Sequence, residues 1–509
     1  MAFLTSFICD PALICLLCAL VLLGALYFST GSKNSACKLP PGPSPLPIIG
    51  NLHLLDIRRQ DKSLMKLGEE YGPVFTLHFG FQKVVVLTGY EAVKEALVNF
   101  PEEFVDRPAI PIFEEIQHGN GVFFSTGELW RTTRRFTMST MRNLGMGKQM
   151  MEEKIFEELH FLTEMIKSHR GEPFSLRSFN IAPTNIIFLM LFGERFDYKD
   201  PMFLSLLRLI DEVMNLLGSP YFQAETGLSL HLPPHTLLSS SLVFSHLAAP
   251  FKQPTMVDNH RPEWHFPSLL SSDATWSKYF QNKVKLVYLK EKNKKKSLFH
   301  DENLVASILD LVMAGTETTA TTLQWTILLM MKYPEIQKKV QEEIGRVVEP
   351  GSRATYEDRR RMPFTNAVIH EVQRFITLLP HVPRCTAVDT HFRGYLIPKG
   401  TTVIPSLTSV LLDKTQWETP YEFNPNHFLD TNGKFVKKDA FLAFSSGRRN
   451  CIGESLAKME LFLFFVGLLQ TFTFRAPPGV AESDLDLTVP ETTFTLRPRP
   501  QSTWAVLRK

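Results

Sequence analysis

The stretch Phe444 to Gly453 reads FSSGRRNCIG. It sets one cysteine, Cys451, in a turn with two glycines and two arginines, directly before a helical pattern running from Glu454 to Leu469. Gly447 permits a sharp turn or close approach of backbone to a flat ligand, and Gly453 removes a side chain where bulk would clash. Arg448 and Arg449 stand beside a sulfur that must lose its proton to ligate a metal, and nearby positive charge favours that loss. The N-terminus of the following helix pushes the same way. The pattern suits a thiolate held against a metal. Its plain alternative is a free cysteine packed as a small hydrophobe at a loop–helix junction.

Working outward, Glu371 and Arg374 in HEVQRF are three apart and predict a helical ion pair. By itself such a pair says little. Asp301 to Lys332 predicts one helix of about 48 Å at 1.5 Å per residue. Its centre, AGTETT at 314–319, holds a glycine and several threonines, which are poor helix formers. A weak patch inside a long helix suits close approach to a flat cofactor, with hydroxyls bonding back to carbonyls. Trp130 and Arg134 share a helical face in ELWRTTRRF, and an indole N–H beside a guanidinium suits an anionic group. Core threonines and a surface tryptophan–arginine contact are the bland readings of these two features.

The spacing Phe444–Gly447–Arg449–Cys451–Gly453 resembles the haem-binding signature of the cytochromes P450, F-x-x-G-x-R-x-C-x-G. AGTETT is similar to that family's oxygen-binding groove, and Glu371–Arg374 stands in the order the family requires. Pro420–Phe423–Pro425–His427–Phe428 matches the family's meander motif, with histidine in place of arginine. RFITLLPHVPRCTA and TSVLLD resemble vertebrate microsomal family two, and most of all its subfamily W.

That resemblance implies a mainly α fold with a small β-rich region, one catalytic domain over 54–509 behind an N-terminal anchor. It implies haem b with Cys451 as axial thiolate and metal ligand. Arg107, Trp130, Arg134, His381 and Arg449 would hold the cofactor. Thr318 would hold dioxygen and its proton-donating water, and Glu317 would relay protons. Glu371 and Arg374 would lock the fold behind the haem. Ile112, Phe113, Ala314, Thr318, Leu378 and Phe494 would line a pocket for lipophilic substrates. Electrons would come from NADPH through a flavoprotein reductase, with cytochrome b5 as a further partner. One oxygen atom would enter a foreign aromatic, fatty acid, lysolipid, retinoid, steroid or indole. Two other functions remain open: a membrane-anchored haem binder without turnover, and a haem-thiolate isomerase or dehydratase that needs no reductase.

The 509 residues, 44% of them hydrophobic, can bury a large core. A formal net charge of +3 implies no nucleic-acid partner. Six cysteines, none between Cys37 and Cys385, make no disulfide framework and suit a reducing compartment. Pro11 to Phe28 is an uncharged, largely apolar run, preceded by Asp10 and followed by Lys33 and Lys38. It predicts a signal-anchor helix within 1–30 and a body on the cytosolic side of the endoplasmic reticulum membrane, with a cleaved signal as the competing reading. The proline-rich 31–53, LPPGPSPLPIIG at its centre, predicts a stiff hinge. VFTLHFG and KVVVLTG predict a strand pair turning at Gly80. Pro201 to Leu217 carries an apolar stripe and predicts a core-facing helix, which the resemblance implies roofs the pocket. From 224 to 280 six prolines and only seven charged residues leave no sustained helical period, an atypical segment that casts doubt on pocket closure. The basic run Lys290 to Lys296 predicts a solvated segment.

Overall fold

The computed structural model describes residues 39–56, 58–218, 298–487 and 494–508. The predicted anchor, the basic run and the atypical 224–280 segment lie outside the described residues. Among the described residues no helix is long and apolar enough to cross a membrane.

The longer helices are α1 (Gln60–Tyr71), α2 (Gly127–Asn143), α3 (Gln149–Ser168), α4 (Ile181–Phe192), α5 (Pro201–Gly218), α6 (Asp301–Lys332), α7 (Pro334–Val347), α8 (Pro363–Ile376) and α9 (Glu454–Thr471). The bounds of α6 are those its sequence pattern predicts. From Thr319 to Met331 every side chain of α6 is buried, so this stretch is wrapped on all sides rather than packed along one stripe. Its neighbours are α4, which is apolar nearly all round, together with α8 and α9. One large core forms where α3, α4, α6 and α9 meet.

A smaller lobe holds β1 (Val74–Phe79), β2 (Gln82–Leu87), β3 (Arg384–Cys385) and β4 (Thr402–Pro405) in the order β1–β2–β4–β3. β1 and β2 form the predicted hairpin, with Gly80 at φ +58° in its turn. β4 runs parallel to β2. The described part of the proline-rich stretch is tied down rather than a free hinge. The Pro41 carbonyl accepts from Thr76 N at 2.7 Å, and the Pro40 carbonyl accepts from the Thr76 hydroxyl at 2.9 Å. Prolines lack the donor that would compete for a ladder, so their carbonyls cap the sheet edge instead.

Candidate functional site

The cysteine loop is built by its glycine. Gly447 sits at φ +74°, and a Cβ there would collide with the Leu97 carbonyl oxygen. Cys451 N then donates to Phe444 O at 3.0 Å, closing the loop just before α9. Cys451 is exposed as a residue, yet protein surrounds its sulfur closely. Burial pushes its pKa up to about 11, against the pull of the Gly453 and Glu454 amides and of Arg134. The charge that favours its thiolate is therefore not that of its sequence neighbours. Arg448 turns outward to pair with Glu102, and Arg449 turns inward to the carbonyls of Val105, Phe123 and Ser125. Arg134, from α2, takes that part, bonded to the Asn450 carbonyl and side-chain oxygen at 2.7 Å each.

Arg134 belongs to a cluster of four. Arg107, Arg384 and Arg449 are buried and Arg134 is partly so. Arg107 donates to Phe123 O and Pro383 O, and Arg384 donates to the Ser445 hydroxyl at 3.3 Å. Among the described residues no carboxylate pairs with any of the four. Burial first, then mutual repulsion, lowers the pKa of Arg107 far below its ordinary value, that of Arg384 to about 9 and that of Arg449 to about 8. Asp310 and Asp106 pull back on Arg107 and Arg449 from beyond ion-pair distance, but the cradle still holds more buried positive than negative charge, a surplus that an anionic group in it would offset. Trp130 gives a second sign. Its ring lies 3.8 Å from the Arg449 guanidinium carbon, and its buried Nε1 has no hydrogen-bond partner. A haem, with two carboxylates and an iron that takes a thiolate, fits this donor set.

Arg384 is absent from the sequence-based site. Its only signal was a basic residue inside the otherwise apolar LLPHVPRC. His381, which was in that site, has a buried Nδ1 without a partner, and burial lowers its pKa against the pull of Asp61. It lies on the wall of a cavity with Gln60 and Asp61.

That cavity, about 170 Å³, also takes in Phe113 and Phe494, together with Phe123, Phe124 and Leu217. Phe113 stacks on Phe124 with centroids 3.7 Å apart. Ala314 and Leu378 are not on its wall: Ala314 is exposed on α6, and Leu378 is half-buried, its carbonyl accepting from Leu496 N. The side chain of Ile112 lies outside what is described.

On α6 the Thr318 hydroxyl donates to Ala314 O at 2.8 Å, and Thr322 and Thr326 repeat the bond one turn on each time. Gly315 turns the side on which a Cβ would stand toward α4. A Cβ there would lie 2.9 Å from Ile187, so the glycine lets α4 approach α6. Glu317 is buried and bonded to Thr321, Thr495 and Arg497. Behind the loop, Arg374 grips Glu371 and the carbonyls of Leu411, Pro420 and Glu422, all in or before the meander. His427 fills its arginine's place, with Nδ1 3.2 Å from both Glu371 oxygens.

A family model for cytochrome P450 matches residues 40–503. The chain is 51% identical to cytochrome P450 2W1 of Homo sapiens over 490 residues, 95% of this chain and 97% of that protein. It is 50% identical to cytochrome P450 2W1 of Mus musculus over 484 residues, 94% of this chain and 95% of that protein. Cytochrome P450 2K1 of Oncorhynchus mykiss is 45% identical over 494 residues, 95% of this chain and 94% of that protein.

Proposed function

The chain belongs to the cytochrome P450 family, and from that premise we propose that Cys451 is the axial ligand of a monooxygenase acting on a lipophilic small molecule. The family binds haem b through a cysteine thiolate, and the chain is a cytochrome P450 monooxygenase. When bound, the haem supplies the reductive activation of dioxygen, with the thiolate lending electron density.

The residues divide the remaining work. Arg107, Arg134, Arg384 and Arg449 would neutralise the haem carboxylates, and Trp130 Nε1 would donate to one of them. The Thr318 hydroxyl has spent its proton on Ala314 O, so its lone pairs face the groove and hold a proton-donating water there. Glu317 is the acid that resupplies that water. Phe113, Phe124 and Phe494 exclude water and orient an apolar substrate by shape. Electrons arrive from NADPH through a flavoprotein reductase, with cytochrome b5 as a further one-electron donor, at an endoplasmic reticulum membrane to which the apolar N-terminal run anchors the chain.

The observation that carries the reading is the cluster of four arginines beside Cys451, none of them in an ion pair with a carboxylate among the described residues. Its test is the carbon monoxide difference spectrum of the dithionite-reduced full-length protein. A red-shifted Soret band that C451S lacks supports the assignment. A band of neutral-ligand type, or no haem, overturns it.

A further inference from the structure

Glu317 and Arg497 are each only 3% exposed and form an ion pair at the middle of α6. The carboxylate that should serve the groove is thus already bound. Its Oε1 accepts from Thr321, Thr495 and Arg497 Nε, and its Oε2 accepts from Arg497 Nη2. Breaking a buried pair by withdrawing one partner is strongly unfavourable, because the other charge is left uncompensated. A Glu317 that passes protons therefore needs its arginine to have somewhere else to turn.

Such a place exists. The same Nη2 lies 3.1 Å from Oδ1 of Asp211 on α5, the roof helix, and Asp211 is 33% exposed. Asp211 in turn pairs with Arg177 at 3.1 Å near the surface.

The segment around Arg497 ties this shared nitrogen to the cavity. Phe494 N donates to Met214 O on α5 at 3.1 Å, and Leu496 N donates to Leu378 O at 2.9 Å. Leu496 O accepts from Trp325 Nε1 on α6 at 2.7 Å. Phe494 and Leu496 face the cavity, as does Leu217 of α5, whereas Thr495 and Arg497 reach Glu317. Successive residues thus touch the substrate space and the groove acid in alternation.

We propose that Arg497 is a positioning residue for the reaction, sharing one guanidinium nitrogen between Glu317 and Asp211 so that the seat of the roof helix sets how firmly Glu317 is held. A molecule filling the cavity pushes on Leu217 and Phe494, shifts α5 relative to α6, and changes that division. This rests on Glu317 being the groove acid.

The test uses the full-length holoenzyme and the variants D211N, R497Q and E317Q. Two quantities are read: amide hydrogen exchange along Pro201–Gly218, and the share of NADPH electrons lost as hydrogen peroxide with reductase and no added substrate. Peroxide carries off two electrons and two protons on dioxygen, so its share reports proton delivery. D211N is expected to raise exchange on α5 roughly threefold and the peroxide share about twofold. R497Q is expected to raise exchange as well. E317Q leaves exchange at or below the wild-type level, because the contact of Arg497 with Asp211 is retained. The proposal is overturned if D211N changes neither quantity, or if E317Q loosens α5 as much as D211N does. D211N alters a partly exposed residue, so it keeps the test decisive even if R497Q does not fold. A wild type without the thiolate carbon monoxide band would instead sink the monooxygenase reading, and the exchange pattern would still decide the Arg497 link.

Discussion

Arg374 and Glu371, both with side chains 0% exposed, meet fork to fork through two 2.7 Å bonds. Every remaining lone pair and N–H of the pair is used. Asn424 N donates to Glu371 at 2.8 Å, and Arg374 donates to three carbonyls. Because the Thr419 amide donates to His427 Nε2, the histidine carries its proton on Nδ1 and donates to Glu371.

Removing one member of this network leaves a buried charge alone. R374A or E371A is expected to cost roughly 3–5 kcal/mol. H427A, which removes a donor but no partner charge, should cost about 1–3 kcal/mol. Urea unfolding of the three variants checks the order, and H427A costing as much as R374A would contradict it.

The orphaned indole makes a second prediction. W130F keeps the ring over Arg449 but removes the one N–H that awaits an acceptor. A lost hydrogen bond to a carboxylate is worth about 1.5 kcal/mol, or roughly tenfold in affinity. Haem transfer to excess apomyoglobin should therefore run about tenfold faster from W130F than from wild type, with the thiolate band unchanged. R384Q should speed it further, since it removes a fully buried charge from the cradle.

How legible this site was depends on the length scale of each signal. Cys451, the α6 groove and the Glu371–Arg374 pair announce themselves locally, through fixed spacings that a turn or helix converts into geometry. Which arginine acts on which group does not. Arg448 and Arg449 are neighbours of Cys451 in sequence, but a short 3-10 turn at 447–449 splits them, one out to Glu102 and one in to Ser125. Arg384 and Arg134 arrive from a strand and a helix far away in the chain. Gly315 was read as facing a cofactor because the chain cannot say which helix face meets α4. The Glu317–Arg497 pair spans 180 residues, and no spacing rule reaches that far.

Glu460, on α9, is a buried acid bonded to Thr319 of α6, the residue after Thr318. Burial pushes its pKa up from 4.5 to about 8. The unfolded chain gives up this proton near pH 4.5, whereas the folded protein keeps it to about pH 8. Stability is therefore fully present below about pH 4.5 and falls as pH rises toward 8. The loss is on the order of 5 kcal/mol for a shift of that size. E460Q mimics the protonated acid and should remove this slope, being more stable than wild type at pH 8 and close to it at pH 4.5. Unfolding midpoints at the two pH values measure it. Equal gains at both would mean that the effect is packing and not the proton.

Gly315 carries the last prediction, which separates a packing role from a cofactor role. If the glycine serves the approach of α4, then G315A fails because its new methyl meets Ile187 at 2.9 Å. Overpacking of that kind costs about 1–3 kcal/mol, offset in part by alanine's better helix propensity of up to ~1 kcal/mol. Trimming the partner should relieve the clash, so that I187A, which removes the Cγ1 and Cδ1 atoms that the methyl meets, restores most of the stability in the G315A background. A cofactor-facing glycine would behave differently. There the methyl would point into the haem slot, haem content would fall, and no change at Ile187 would restore it. Urea midpoints and haem content of G315A, I187A and the double variant decide the matter, and recovery of both in the double variant is the expected result.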